Sequence, residues 1–423
     1  MESVGVGMLG LGTVGTAVAR RLIGEWELLG KRAGATPVLR CVAVRDTSRP
    51  RDIDLKNVRI AANPEAVIAD PAVAIVIEVM GGTDPATALI ESSLRSGKTV
   101  VTANKAVIAA SGPRLTALAA EHRAHLYYEA SVGAGLPIIA LLRGSLLGDR
   151  IAALDCVING TTNVILTRMR EPGATFASAL ADAQRRGFAE ADPSLDVDGW
   201  DAVQKLVILA RLALGVSVAP ESVDRVGIRE VSGTDVAALA QLGYRVRLLA
   251  HAEQASAGAV HLRVRPTAVG AGQLLHDVDD ADNAVIISSD LARTVMLRGL
   301  GAGGASTASA VLSDVVTAVR ERDAAAQRVA LATAEASPLS DEDVEIAGYV
   351  RVRLSREADA RSLVLQALED RGLAVDAAVD LAGSELIVLT GTAPRAVHDR
   401  ALETLDTLTS VDQILGALDR VEA

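Results

Sequence analysis

The chain has 423 residues, half of them hydrophobic and only 2% aromatic, with a formal net charge of −11. That length accommodates two or three domains with aliphatic cores, and the acidic balance argues against a nucleic-acid footprint or an anionic membrane surface as partner. Cys41 and Cys156 lack metal-ligand spacing, Arg143, Lys205 or Arg211 interrupts the longest apolar runs, and no basic leader precedes the first strand, so a reduced, cytoplasmic protein that neither crosses nor binds a membrane is expected.

Val4–Leu9 reads as a buried strand and Thr16–Leu22 as a helix, with Gly10-Leu11-Gly12-Thr13-Val14-Gly15 between them. In that position a Gly-x-Gly-x-x-Gly run has a specific mechanics. Gly10 permits the tight turn, Gly12 lets backbone approach a pyrophosphate, and Gly15 lets helix pack on strand. The helix N-terminus then offers free amides to phosphates. The next strand, Val38–Val44, ends in Arg45-Asp46, with Arg49 and Arg51 close behind. A guanidinium there suits a 2′-phosphate, so NADP(H) is the expected cofactor, while Asp46 keeps NAD(H) open. Ala74–Met80 reads as a buried parallel strand running into Gly81-Gly82, the helix Ala86–Arg95 follows, and Thr99-Val100-Val101-Thr102-Ala103-Asn104-Lys105 ends in a lysine suited to cofactor or substrate.

From about Leu136 to Leu297 the pattern becomes mixed: helices over Ile138–Leu147 and Ala202–Leu214, strands over Ile151–Ile158, His261–Thr267 and Asn283–Ser288. The segment Gly187–Lys205 carries five carboxylates in its loop, at Glu190, Asp192, Asp196, Asp198 and Asp201. Lys205 lies four residues beyond Asp201, and Leu206-Val207-Ile208-Leu209-Ala210 then reads as a helix apolar on every side. Charge at the mouth of such a helix is costly unless it has a partner or a job. The acidic loop would orient a cationic substrate and the Asp201–Lys205 pair would handle its proton. Asp192-Pro193 is equally a turn, with the Asp capping the residues after it.

A helix over Ala305–Arg320 precedes an Ala- and acid-rich linker. The tail then reads strand (Tyr349–Leu354), helix (Arg361–Arg371), strand (Leu373–Val379), strand (Glu385–Thr390), helix (Ala393–Leu408) and strand (Gln413–Leu418), a ferredoxin-like order. It resembles an ACT domain, a module that often binds amino acids, although its first strand–helix loop, Ser355–Ala360, lacks a glycine.

The succession of motifs resembles homoserine dehydrogenase from the N-terminus to about residue 320. The matching residues are the Gly10–Gly15 turn, Glu78-Val79-Met80-Gly81-Gly82, Thr102-Ala103-Asn104-Lys105, Glu129-Ala130-Ser131-Val132-Gly133-Ala134-Gly135-Leu136-Pro137, Asn159-Gly160-Thr161-Thr162-Asn163 and the acidic Glu190–Lys205 segment. The resemblance implies interconversion of L-homoserine and L-aspartate 4-semialdehyde with NAD(P). It implies Lys205 as proton donor, Glu190 and Asp201 as homoserine ligands, and Asp196 as a pocket residue. Lys105 would stand near nicotinamide and substrate, with Gly81, Gly187, Gly301 and Gly303 beside the cofactor. Ser306 stands where the family usually has a proline after that last glycine loop, so loop geometry there is expected to differ. The resemblance also implies a monovalent cation, Na⁺ or K⁺, held by Glu129, Val132, Ala134 and Leu136; the alternative is an ion-free glycine-rich hinge. A homodimer and threonine as effector are further expectations.

The expected fold class is α/β. A Rossmann dinucleotide-binding domain would take residues 1–135 plus about 305–325, and an α+β substrate and dimerisation domain 136–304. A linker would span 326–346 and a ferredoxin-like ACT-type domain 347–423. Two rivals are a catalytically dead nucleotide-binding sensor, disfavoured by the presence of Glu190, Asp201 and Lys205, and a dehydrogenase of another small amino-acid aldehyde or imine.

Overall fold

In the computed structural model the strand Ser3–Leu9 lies near the middle of a six-stranded sheet, and every pair in that sheet is parallel. The order across it is Arg59–Ala61, Thr36–Ala43, Ser3–Leu9, Ile75–Glu78, Thr99–Thr102, Leu126–Tyr127. This 3-2-1-4-5-6 succession is that of a dinucleotide-binding Rossmann sheet, in which ligands meet the carboxyl ends of the strands where the order reverses. Val18, Ala19 and Leu22 of the helix Thr13–Gly24 and Ala308, Val311, Val315 and Val319 of the helix Gly304–Arg320 cover one face, over Val4, Val6 and Met8. Val67, Ile68 and Leu89 cover the other, over Leu9, Cys41 and Val76.

The structure describes residues 2–256, 259–322, 334–336 and 338–421. The chain forms two compact units. Met1–Leu154, Gln204–Ser222 and Asn283–Ser337 make the first; Asp155–Val203, Val223–Asp282 and Pro338–Ala423 make the second. The sequence division instead placed 136–154, 204–222 and 283–304 with the substrate domain. Of the linker expected over 326–346, residues 326–333 and 337 lie outside the described residues.

In the second unit a long antiparallel hairpin joins Tyr244–Ser256 to Ala259–Gly270. The latter strand pairs in parallel with Val411–Val421, which continues through Glu345–Leu354 and Glu385–Pro394 to Val375–Leu381. With the helices Ala360–Asp370 and Arg395–Thr407 the tail has the expected strand–helix–strand–strand–helix–strand order. Val350, Val352, Val364, Leu368, Leu386, Val388 and Leu405 form its core.

Several element boundaries differ from the sequence reading, two of them next to motif residues. The helix expected to reach Leu147 stops at Arg143, where Gly144 follows, and the strand expected over Ala74–Met80 is confined to Ile75–Glu78. Among the described residues no helix is long and apolar enough to cross a membrane.

Candidate active site

The glycine turn has the geometry its sequence requires. Gly10 adopts φ +99°, and a Cβ there would stand 2.8 Å from the Val79 carbonyl oxygen; one on Gly15 would stand 2.6 Å from the Gly10 carbonyl oxygen. A Cβ on Gly12 would point into open space, and no side chain caps the helix that Gly12 begins. Backbone at Leu11, Gly12, Thr13 and Val14 therefore borders a cradle with uncapped amides, which fits a dinucleotide pyrophosphate. The Gly301–Gly303 loop belongs to the same unit. Gly304 abuts Thr13, where a Cβ would come within 2.7 Å of Cγ2, and a Cβ on Gly301 would collide with the buried amide of Asn283. Ser306 donates through Oγ to the carbonyls of Ala302 (2.8 Å) and Gly303 (3.0 Å), which fixes the loop where a proline was expected.

Arg45 is exposed just past the strand Thr36–Ala43. The side chains of Asp46 and Arg51 are otherwise occupied. Asp46 accepts from the amide and hydroxyl of Ser48 and the amide of Arg49, and these bonds, the Ser48 hydroxyl first, hold its carboxyl below the ordinary range. Arg51 donates to the carbonyls of Asp46 and Arg49. Arg45 is thus a guanidinium available to a ligand at this strand end, with the exposed side chain of Arg49 close by.

A hydrogen-bond chain joins the next two strand ends. Buried Glu78 accepts from the Met80 amide (2.7 Å) and the Thr102 hydroxyl (2.6 Å). Thr102 Oγ1 accepts from the Asn104 amide (3.0 Å), and Asn104 Nδ2 donates to the Gly82 carbonyl (2.6 Å). Asn104 also caps the helix Lys105–Glu121 through its bond from the Val107 amide. Lys105, half-buried, occupies the first position of that helix. Gly81, exposed and at φ +75°, lies in the loop this chain steadies.

In the second unit Asn159 brings two of the expected carboxylates together. Its Nδ2 donates to Asp196 Oδ1 (2.7 Å) and Asp201 Oδ2 (2.8 Å), while its Oδ1 accepts from the Thr162 amide and caps the helix Gly160–Arg168. Glu190 is exposed on the same acidic segment, its carbonyl held by Gln184 Nε2 (3.0 Å). Gly187, at φ +78°, ends the turn after the helix Phe176–Arg185, and a Cβ on it would meet open space. Asp192 and Asp198 serve the fold: Asp192 accepts from the amide and hydroxyl of Ser194, as a turn-capping Asp does, and Asp198 is paired with Arg229.

Asp201 and Lys205 share one face of the helix Trp200–Leu214 by its periodicity. They are 6% and 9% exposed, and both are engaged in interactions. Leu206, Val207, Ile208 and Leu209 beyond them are fully buried, so this is no surface ion pair. The unit boundary falls inside this helix, between Val203 and Gln204.

Glu129 is buried. Its Oε1 accepts from the Ile139 amide (2.8 Å) and its Oε2 from the Ala140 amide (2.6 Å), so the carboxylate sits at the start of the helix Ile138–Arg143. Between them Gly133 (φ +70°) and Ala134 (φ +48°) bend the backbone through the Val132–Leu136 turn. Leu136 donates its amide to Gly133 and gives its carbonyl to the Ile138 amide. Among the described residues no three His, Cys, Asp or Glu side chains cluster to hold a metal.

The roles of Asn159 and of the Glu78–Thr102 pair escaped the sequence reading. The one local signal was an Asn directly ahead of a helix, which marks a cap but says nothing of the carboxylates beyond it.

A Rossmann sheet with a glycine turn open to a pyrophosphate, in a chain that also carries a buried carboxylate–ammonium helix, defines a nicotinamide-dependent oxidoreductase. The family model for the homoserine dehydrogenase NAD-binding domain matches residues 10–129, and the model for homoserine dehydrogenase matches residues 137–316. Homoserine dehydrogenase of Synechocystis is 44% identical over 326 residues, 75% of this chain and 73% of that one. The crystal structure of a homoserine dehydrogenase from Thiobacillus denitrificans superposes with TM-score 0.92 at 34% identity, covering 100% of this chain and 99% of the other. A hyperthermophilic archaeal homoserine dehydrogenase in complex with NADPH superposes at 0.62 with 30% identity, covering 75% and 97%. The chain belongs to the homoserine dehydrogenases. Its reaction is NAD(P)-dependent, reversible hydride transfer between L-homoserine and L-aspartate 4-semialdehyde, a step of threonine and methionine biosynthesis.

Proposed function

We propose that Lys205 moves the proton of this reaction and that Asp201, Asp196 and Glu190 receive the substrate. The carrying observation is the placement of Asp201 and Lys205 one turn apart, both buried, where the helix Trp200–Leu214 enters the apolar run Leu206–Ala210. Nicotinamide, when bound, gives hydride to the aldehyde carbon or takes it from the alcohol. In the reducing direction the Lys205 ammonium donates its proton to the oxygen that becomes the hydroxyl; in the oxidising direction the Lys205 amine removes it. Glu190, exposed on the acidic segment, and Asp196 present anionic oxygens to the substrate ammonium. Lys105, at the N-terminus of its helix, would serve cofactor and substrate together.

The residues that would hold the dinucleotide are Gly10, Leu11, Gly12, Thr13, Val14, Gly15, Gly81, Gly187, Gly301 and Gly303, with Arg45 toward a 2′-phosphate. The free Arg45 and the self-occupied Asp46 support NADP(H) over NAD(H). Glu129 with the carbonyls of Val132, Ala134 and Leu136 is the proposed Na⁺ or K⁺ site. The tail is read as an ACT-type domain with threonine as effector, in the three-domain division drawn from sequence. A cytoplasmic homodimer completes the reading, in keeping with two free, buried cysteines.

Lys205→Ala tests the central role. Turnover should fall by about 10²–10⁴, the usual worth of a positioned acid–base group, with NADPH affinity by fluorescence titration unchanged. Parallel losses in both would refute proton transfer by Lys205. Initial rates with and without L-threonine test the effector, and a flat response removes it.

A further inference from the structure

We infer that Asn159 is a positioning residue for this reaction: its side-chain amide holds the carboxylates of Asp196 and Asp201 together and aimed as a pair. The inference rests on the substrate-binding role given to those carboxylates above. Nothing in the reaction itself demands an amide here; the geometry does. Asn159 is 3% exposed and every polar atom of its side chain is used. Nδ2 donates to Asp196 Oδ1 at 2.7 Å and to Asp201 Oδ2 at 2.8 Å, and Oδ1 accepts from the Thr162 amide at 2.8 Å. The orientation is fixed, because a flipped amide would set its oxygen against two carboxylates and its NH₂ against an N–H donor.

Two carboxylate oxygens on one nitrogen lie within about 5 Å of each other. At that separation each anion disfavours the other, and a shared donor counters this by favouring both charged forms. The surrounding charges are mixed. Asp192 and Asp198 stand on the same acidic segment, Arg229 neutralises Asp198, and Lys205 lies one turn beyond Asp201. Asp196 and Asp201 come from different elements, the short helix Ser194–Val197 and the helix Trp200–Leu214, so the shared amide also fixes one element against the other. The second duty of Asn159, capping the helix Gly160–Arg168, does not need an amide, since Asp and Ser cap about as well as Asn. The cap and the clamp therefore have different chemical requirements and can be separated.

The experiment compares Asn159→Asp and Asn159→Ser with the parent enzyme, both variants retaining a capping oxygen. Steady-state kinetics with L-homoserine and NADP⁺ are followed across pH, with NADPH titration and thermal unfolding as controls. Expected is at least a tenfold loss of kcat/KM in both. The acid limb of the pH profile should rise by about one unit in Asn159→Ser and further in Asn159→Asp, where a third carboxyl joins the pair. NADPH affinity should stay near that of the parent, while the unfolding midpoint should fall, since two buried carboxylates lose a donor, without loss of cooperative unfolding. Parental kcat/KM and an unmoved acid limb in both variants would reduce Asn159 to a helix cap and overturn the inference. Asp196→Asn and Asp201→Asn run beside them. If these are impaired while the Asn159 variants are not, only the clamp fails. If they match the parent, the substrate role of the carboxylates fails and the clamp with it.

Discussion

Thr102 Oγ1 donates to Glu78 Oε2 at 2.6 Å, linking the carboxyl ends of two adjacent parallel strands whose register sets Glu78 opposite Thr102. A buried carboxylate at a strand end is costly unless its oxygens are satisfied, and here the Met80 amide takes one and Thr102 the other. The pair thereby fixes two loops that face the dinucleotide cradle, one holding Gly81 and the other leading through Asn104 to Lys105. Thr102→Val keeps the shape and removes the hydroxyl. It should lower stability by about 1–3 kcal/mol, the cost of an unpaired buried group, and weaken NADPH binding together with turnover. A parental unfolding midpoint with parental NADPH affinity would show that the loops hold without it.

Arg45 and Arg51 lie six residues apart yet should behave differently. Arg51 is spent on the carbonyls of Asp46 and Arg49, whereas Arg45 is exposed at the strand end. Arg45→Ala should weaken NADPH about tenfold or more, as loss of a charge-assisted bond to phosphate does, and leave NADH nearly unchanged. Arg51→Ala acts through the loop and should affect both nucleotides alike. Dissociation constants from fluorescence titration decide the matter, and an equal effect of Arg45→Ala on the two cofactors removes the 2′-phosphate argument.

His251 gives a stability signal with a definite sign. Burial disfavours its charged form, but Asp155, whose Oδ1 lies 2.7 Å from Nδ1, and Glu253, 3.6 Å from Nε2, outweigh that and raise its pKa above the ordinary 6.5. The folded state therefore keeps a proton that the unfolded chain has released. This contribution is complete below pH 6.5 and is lost as pH rises through the elevated folded value. Asp155→Asn should cost stability at pH 6 and progressively less at higher pH. Urea unfolding at pH 6, 7.5 and 9 measures this, and a penalty independent of pH would show that His251 is neutral in the folded protein.

The range of each contact decides whether the sequence makes it readable or hides it. The Gly10–Gly15 turn is legible because its determinants are neighbours in the chain: strand, glycines and helix within twenty residues. The helix Trp200–Leu214 is legible because its apolar surround is continuous. The Asn159 clamp is not, because its partners stand 37 and 42 residues away and are joined by folding alone. The strand Tyr244–Ser256 also escaped the sequence reading. Its Arg247 falls in the polar phase of the alternation, with Arg245, His251 and Glu253, yet it is fully buried and spent on Asp279, the His276 carbonyl and Asn163, so a position that reads as solvent-facing lies in the interior. Only the tertiary partners make that residue acceptable in a core.

Asp235 is the corresponding case in the tail, and it carries the last prediction. From the helix Gly233–Gln241 its Oδ1 accepts from the Tyr349 hydroxyl (2.7 Å) and from Arg351 Nε (2.6 Å), and its Oδ2 from Ser232 Oγ (2.5 Å). A Cβ on Gly416 would come within 2.5 Å of Oδ2, so the strand Val411–Val421 approaches the carboxylate at a glycine. One anion thus ties the tail strand Glu345–Leu354 to a helix outside the tail, and Arg351 is left half-paired without it, with Glu385 as its other partner. Breaking a buried pair from one side costs about 3–5 kcal/mol, and the Glu385 contact sets Asp235→Ala toward the lower end. Asp235→Asn, which keeps an acceptor oxygen and loses the charge, should cost less. Gly416→Ala should destabilise too, by forcing the carboxylate from its partners. Denaturant unfolding of the three variants should rank them with Asp235→Ala above Asp235→Asn, and an Asp235→Ala protein as stable as the parent would mean that the tail is held by its apolar contacts alone.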